Sequence, residues 1–186
     1  MEQKNRRRKR KQEVWIVLEQ NGSNRMEMRD MTATLLCRLI VCTALFILSR
    51  EDIKRYEIPP ACTAVIFGCG IWNLWLERPG WADTLLGMSC ISLPLALLEL
   101  ASKGKAIGGG DVKLMAAAGF FLGVRRCLLA FALACISGSV IHLARMRWKG
   151  AGRVLAFGPY LSFGIFIAMW WGDALLKWYV RTWLAV

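Results

Sequence analysis

Apolar residues gather along this chain into six runs, at about 31–49, 61–76, 82–100, 112–124, 127–143 and 154–176, separated by short polar and charged stretches. Runs of this kind predict an all-α, polytopic membrane bundle of about six transmembrane helices. Several fall short of the roughly 20 residues that a span requires. The fourth reaches that length only if its helix begins near Ala106, which carries Asp111 inside it. Pro94 interrupts the third run and is tolerated where neighbouring helices satisfy the freed carbonyl. The stretch GFFLG, from Gly119 to Gly123, sets two small residues at the spacing of close helix contact. Residues 1–30 have a different character, with the run RRRKRK from Arg6 to Lys11, and are expected to be a disordered basic segment ahead of a membrane-embedded domain at 31–186. The apolar VWIVL at 14–18 is too short for a signal-peptide core, and no small-residue cleavage site follows it. Met26, Met28 and Met31 are each possible starts.

Composition agrees with the pattern. Of the 186 residues, 56% are apolar, the mean hydropathy is +0.39 and nine are Trp, which fits a one-domain membrane protein rather than a soluble one. A formal charge of +12 raises nucleic acid as a partner. The basic residues lie in short runs between the apolar ones, however, where the positive-inside rule expects them, so the implied partner is the lipid bilayer and not nucleic acid. Their density places the 50–60, 101–113 and 144–153 segments in the cytoplasm and the N-terminus outside, although residues 6–11 argue the other way. The seven cysteines lie in apolar stretches without a CxxC pair, and there is one His, so neither a metal site, a disulfide framework nor a cofactor is indicated. Arg38 falls within the first run, where snorkelling or a partner inside the bundle would accommodate it.

The sequence IGGGDVKLM at 107–115 sets an acid at the edge of a membrane helix. At mid-bilayer a carboxylate costs about 2.5–3.5 kcal/mol on insertion scales, so Asp111 is either compensated or used. Chemistries can be excluded by the side chains they need. A single His142 cannot supply the two ligands of HExxH. Ser137, Ser139 and His142 share the stretch CISGSVIH, but it lacks the Gly two residues before a GxSG nucleophile, and a packing role is expected. Carboxylates remain. Two that share a proton can divide the work, one activating water while its protonated partner polarises a scissile carbonyl. They must then lie at one membrane face. An even number of crossings separates Asp52 from Asp111, and Glu77, Asp83 and Asp173 fall at the opposite face, which leaves Glu51, Asp52, Glu57, Glu99 and Asp111. Asp52, in REDIKRYEIPP, reads by itself as a charged helix end. Asp111 follows GGG, whose open backbone lets an extended substrate approach closely. A phosphate cradle is excluded because no GK[ST] follows and the acid would repel phosphate.

Taken together, these stretches resemble the type IV prepilin peptidases, the A24 group of membrane aspartic proteases, across most of residues 31–176. Asp52, followed after five residues by Ile58-Pro59, is similar to the family's D-x5-IPN motif; Gly108, Gly110, Asp111 and Lys113 match GxGDxK; LAFGPYLSFG, with Gly158 and Pro159, resembles its FGPFL element. Pro60 departs from the family's Asn. The resemblance implies a GxGD-type fold in which Asp52 and Asp111 are catalytic, no metal or cofactor takes part, and short basic leaders are cut from prepilin-like protein substrates at the cytoplasmic face of the cell membrane. Larger members carry an insert with two CxxC pairs associated with methylation, and this chain is similar to the short, peptidase-only branch. Lys113 either tunes the acid or anchors its helix at headgroup level. The competing reading is a small transporter or pilus-assembly component in which the two acids form a cation or proton site; it calls for deeper acids and an internal repeat.

Overall fold

In a computed structural model, residues 31–76, 80–103, 107–149 and 156–183 are described, and every ordered element among them is an α-helix. The expected disorder of residues 1–30 and the placement of Glu77 lie outside these residues. The helices are α1 Met31–Arg55, α2 Pro60–Leu76, α3 Trp81–Ser102, α4 Gly109–Leu122, α5 Val124–Lys149 and α6 Gly158–Trp183. Their order follows the six apolar runs. The chain divides into two units at Leu36/Cys37, and the packing below is that of the second, Cys37–Val186.

Four of the helices, α1, α3, α5 and α6, are long and apolar enough to cross a membrane. Apolar side chains such as Phe46, Trp75, Leu100, Ile136 and Leu143 stand exposed on the helix surfaces. In water such faces would aggregate, whereas against lipid they are solvated. The chain is therefore a multi-pass membrane protein.

Helix α4 is shorter than the sequence pattern suggests. It starts at Gly109, not near Ala106, and its 14 residues reach only about 21 Å. Its position explains why this suffices. It packs against α2, α3, α5 and α6, and Leu114, Met115, Ala117, Ala118, Phe121 and Leu122 are all buried. Its buried side chains face neighbouring helices, and a helix packed within protein need not span the hydrocarbon by itself. Small residues let the neighbours approach. A Cβ on Gly87 of α3 would lie 2.5 Å from the carbonyl oxygen of Gly119 on α4. The same Cβ would lie 2.8 Å from the carbonyl carbon and 2.9 Å from the Cα of Gly123, so both glycines of GFFLG take part in the close helix contact. Gly123 has a second role: with φ at 75° in the left-handed region, it ends α4 and lets α5 begin at the next residue. Arg125 and Arg126, read from the pattern as loop residues, consequently stand in the first turn of α5.

Candidate active site

Asp52 sits in the last turn of α1, only 6% exposed. Its carbonyl accepts the Tyr56 N–H at 2.9 Å, and Tyr56, at φ 55°, turns the chain out of the helix. A non-glycine residue in this conformation costs on the order of 1 kcal/mol, so the surroundings must hold it there. Four residues later α2 begins at Pro60, and the first position of a helix suits proline because its missing N–H would be unpaired anyway. The departure from the family's Asn is therefore compatible with the local backbone. Between them, Ile58 folds over the start of α4, where a Cβ on Gly110 would lie 2.8 Å from the Ile58 Cβ.

Asp111 stands in the first turn of α4 and donates its backbone N–H to the Gly108 carbonyl at 3.0 Å. The residue is half-buried. Its Oδ1 is fully buried, and among the described residues no donor reaches it. Asp52 and Asp111, 59 positions apart in sequence, line one cavity of about 350 Å³ and lie close enough for each charge to act on the other. Gly108, Gly109 and Gly110 form one wall. Tyr56, Glu57 and Lys113, all exposed, stand at its rim.

The third motif meets the first. Gly158 is the first residue of α6, and its N–H donates to Asp52 Oδ2 at 2.9 Å across 106 residues of chain. There is no room for a side chain, since a Cβ on Gly158 would stand 2.7 Å from that oxygen. Pro159 follows in the first turn, half-buried. Hydrogen bonding and the positive end of the α6 dipole both favour negative charge on Asp52.

The remaining sequence candidates scatter. Glu51 pairs with Arg55 along the α1 surface at 3.4 Å. Glu99, near the end of α3, lies against the α4 start, 2.6 Å from where a Cβ on Gly109 would be. This contact was missed in the sequence, and its only trace there is that the variable position of GxGD is itself glycine. Asp83 and Asp173 line a separate cavity with Arg126, which grips Asp173 with two nitrogens. Arg38 has a partner in the bundle: its guanidinium lies over the Trp170 ring at 5.9 Å. Ser137 donates to the Ala134 carbonyl of its own helix at 3.1 Å, as a packing residue does.

An all-helical, multi-pass bundle with two aspartates in one glycine-walled cavity defines the class: a membrane protein with a paired-carboxylate site. Within that class the chain belongs to the type IV leader peptidase family, whose model matches residues 39–143. It is 31% identical over 154 residues to the prepilin leader peptidase/N-methyltransferase of Aeromonas salmonicida, covering 79% of this chain and 53% of that protein. The proteins of that name from Legionella pneumophila and Bacillus subtilis are 36% and 32% identical, over 52% and 54% of this chain and 37% and 41% of theirs. The chain thus spans about half the length, or less, of these relatives. No solved structure matches it significantly.

Proposed function

We propose that the chain is a membrane aspartic endopeptidase that removes the leader from type IV prepilin-like precursors, with Asp52 and Asp111 as its catalytic pair. The observation that carries this reading is the meeting of the two acids in one cavity, from helices far apart in sequence. Two carboxylates so placed cannot both ionise cheaply, and they titrate as a pair that keeps one proton in common. The ionised member takes a proton from water as the water oxygen attacks the scissile carbonyl carbon. The protonated member donates to the carbonyl oxygen, giving a tetrahedral diol. As the diol collapses, the first acid passes its proton to the leaving amine and the second recovers one from a hydroxyl, so the pair is restored without metal or cofactor.

The glycine wall fits an extended peptide, because backbone without side chains leaves room for another backbone to come close. Ile58 braces the wall at Gly110, while Gly158 and Pro159 open α6, whose first N–H donates to Asp52. Lys113 at the rim sits where it can interact with the substrate. The density of basic residues in the 50–60, 101–113 and 144–153 segments supports a site at the cytoplasmic face of the cell membrane under the positive-inside rule. The transporter reading gains nothing from this arrangement, since both acids stand at helix ends rather than mid-span. Co-expression with a prepilin tests the proposal. Leader removal, read as a drop in mass to that of the mature pilin, is expected, and an uncut precursor beside a normally inserted enzyme would overturn it.

A further inference from the structure

The two acids have different surroundings, and the difference assigns their tasks. Asp52 Oδ2 receives the Gly158 N–H at 2.9 Å at the opening of α6. Asp111 Oδ1 is buried without any donor among the described residues. A carboxylate oxygen that accepts a hydrogen bond at a helix N-terminus is suited to carry charge. A carboxylate with one oxygen buried and without a donor is costly when ionised, whereas in the neutral acid that oxygen is an uncharged carbonyl and the proton lies on Oδ2, beside Gly108 of the cavity wall. We propose that Gly158 is a positioning residue that holds Asp52 as the ionised, water-activating member, and that Asp111 carries the proton and donates it to the scissile carbonyl. This rests on the endopeptidase reading and deepens it.

In the forward step the water O–H bond breaks as its oxygen bonds to the carbonyl carbon. The water proton goes to Asp52, and the Asp111 proton goes to the carbonyl oxygen. In the second step the C–N bond breaks, Asp52 returns its proton to the amine nitrogen, and Asp111 takes one from the diol. Other charged groups surround the pair without entering that exchange. Glu57 and Lys113 stand at the cavity rim with Tyr56, Glu99 lies against Gly109, and Glu51 is paired with Arg55.

The first test needs no substrate, so it is independent of whether prepilin is cut. Infrared spectra of the purified protein in lipid at neutral pH report the carbonyl stretch of a protonated carboxyl group. The band is expected in the wild type and in Asp52→Asn, and expected to vanish in Asp111→Asn. Loss in Asp52→Asn with retention in Asp111→Asn would reverse the roles. Loss in both, or retention in both, would refute an assignment made by surroundings. The second test uses Gly158→Ala, whose new methyl displaces the Asp52 carboxylate from its donor. Deprived of that donor, Asp52 ionises at higher pH, so the acid limb of kcat/KM should move to higher pH while KM holds. A variant that inserts normally with an unshifted profile would show that Gly158 only packs.

Discussion

Gly108 and Gly110 belong to one motif and meet different neighbours. A Cβ on Gly110 would press on Ile58, whereas one on Gly108 would find, among the described residues, only Asp111 Oδ2, 3.9 Å away. The Gly108 backbone, at φ −79° and ψ 142°, is also one that any residue adopts. Gly110→Ala should therefore disturb the first motif and lower kcat along with thermal stability. Gly108→Ala should leave membrane insertion and stability unchanged and raise KM, because the only space it fills is that of the substrate. A stability loss in Gly108→Ala equal to that in Gly110→Ala would contradict this division. At this scale the sequence was informative about the acids and less so about their partners. Asp111 declared itself because charge beside an apolar run is costly, whereas the same-face requirement left Asp52 alongside Glu51, Glu57 and Glu99, and only its resemblance to the D-x5-IPN motif singled it out. The Gly158 N–H is a backbone group, and nothing in a residue's identity advertises what its amide will touch 106 positions away.

Among the helices, α4 governs the site because it carries Asp111 and is clamped on four sides. Its tightest neighbour is α3, through Gly87 and Gly119. Gly119→Leu would push these backbones apart, and overpacking of this kind costs about 1–3 kcal/mol or more. We expect lower resistance to thermal unfolding in detergent and reduced cleavage, since α4 cannot shift without moving Asp111 from Asp52. Normal stability and activity in Gly119→Leu would show that the contact is not needed. By contrast, Arg126 and Asp173 join α5 to α6 beside the other cavity, with side chains 29% and 58% exposed. Arg126→Gln should cost only about 0.2–1 kcal/mol and leave cleavage intact. Hydropathy located all six helices but misjudged their ends. Gly123 ends α4 through a backbone conformation, and α1 runs on through charged residues to Arg55, whose solvated side chain places no burden on the helix. An apolar count sees neither effect.

For the whole molecule, the orientation proposed from the positive-inside rule, with the cavity at the cytoplasmic face, can be tested by labelling. A cysteine replacing Ser102, at the end of α3 on the cavity side, should react with a membrane-impermeant thiol reagent only after the cell is opened, and one replacing Gly80 should react in intact cells. The reverse pattern would invert the orientation. Among the described residues, those that line the cavity run from Asp52 to Lys113. A chain starting at Met31 should accordingly insert and cleave as the full chain does, and total loss of cleavage at a normal insertion level would give the basic segment an essential role. The central claim is that Asp52 and Asp111 act as one catalytic unit, and it is tested most directly by cleavage rates of Asp52→Asn, Asp111→Asn and the double variant on one prepilin. Asn keeps the shape of each side chain and cannot exchange the proton. Each single variant should lose on the order of 10³-fold or more, and the double variant little beyond that, because members of a unit fail together. Glu51→Gln, altered in a surface pair, is the control and should keep most activity. A single Asp variant that still cleaved near the wild-type rate, or losses that multiplied in the double variant, would contradict the dyad.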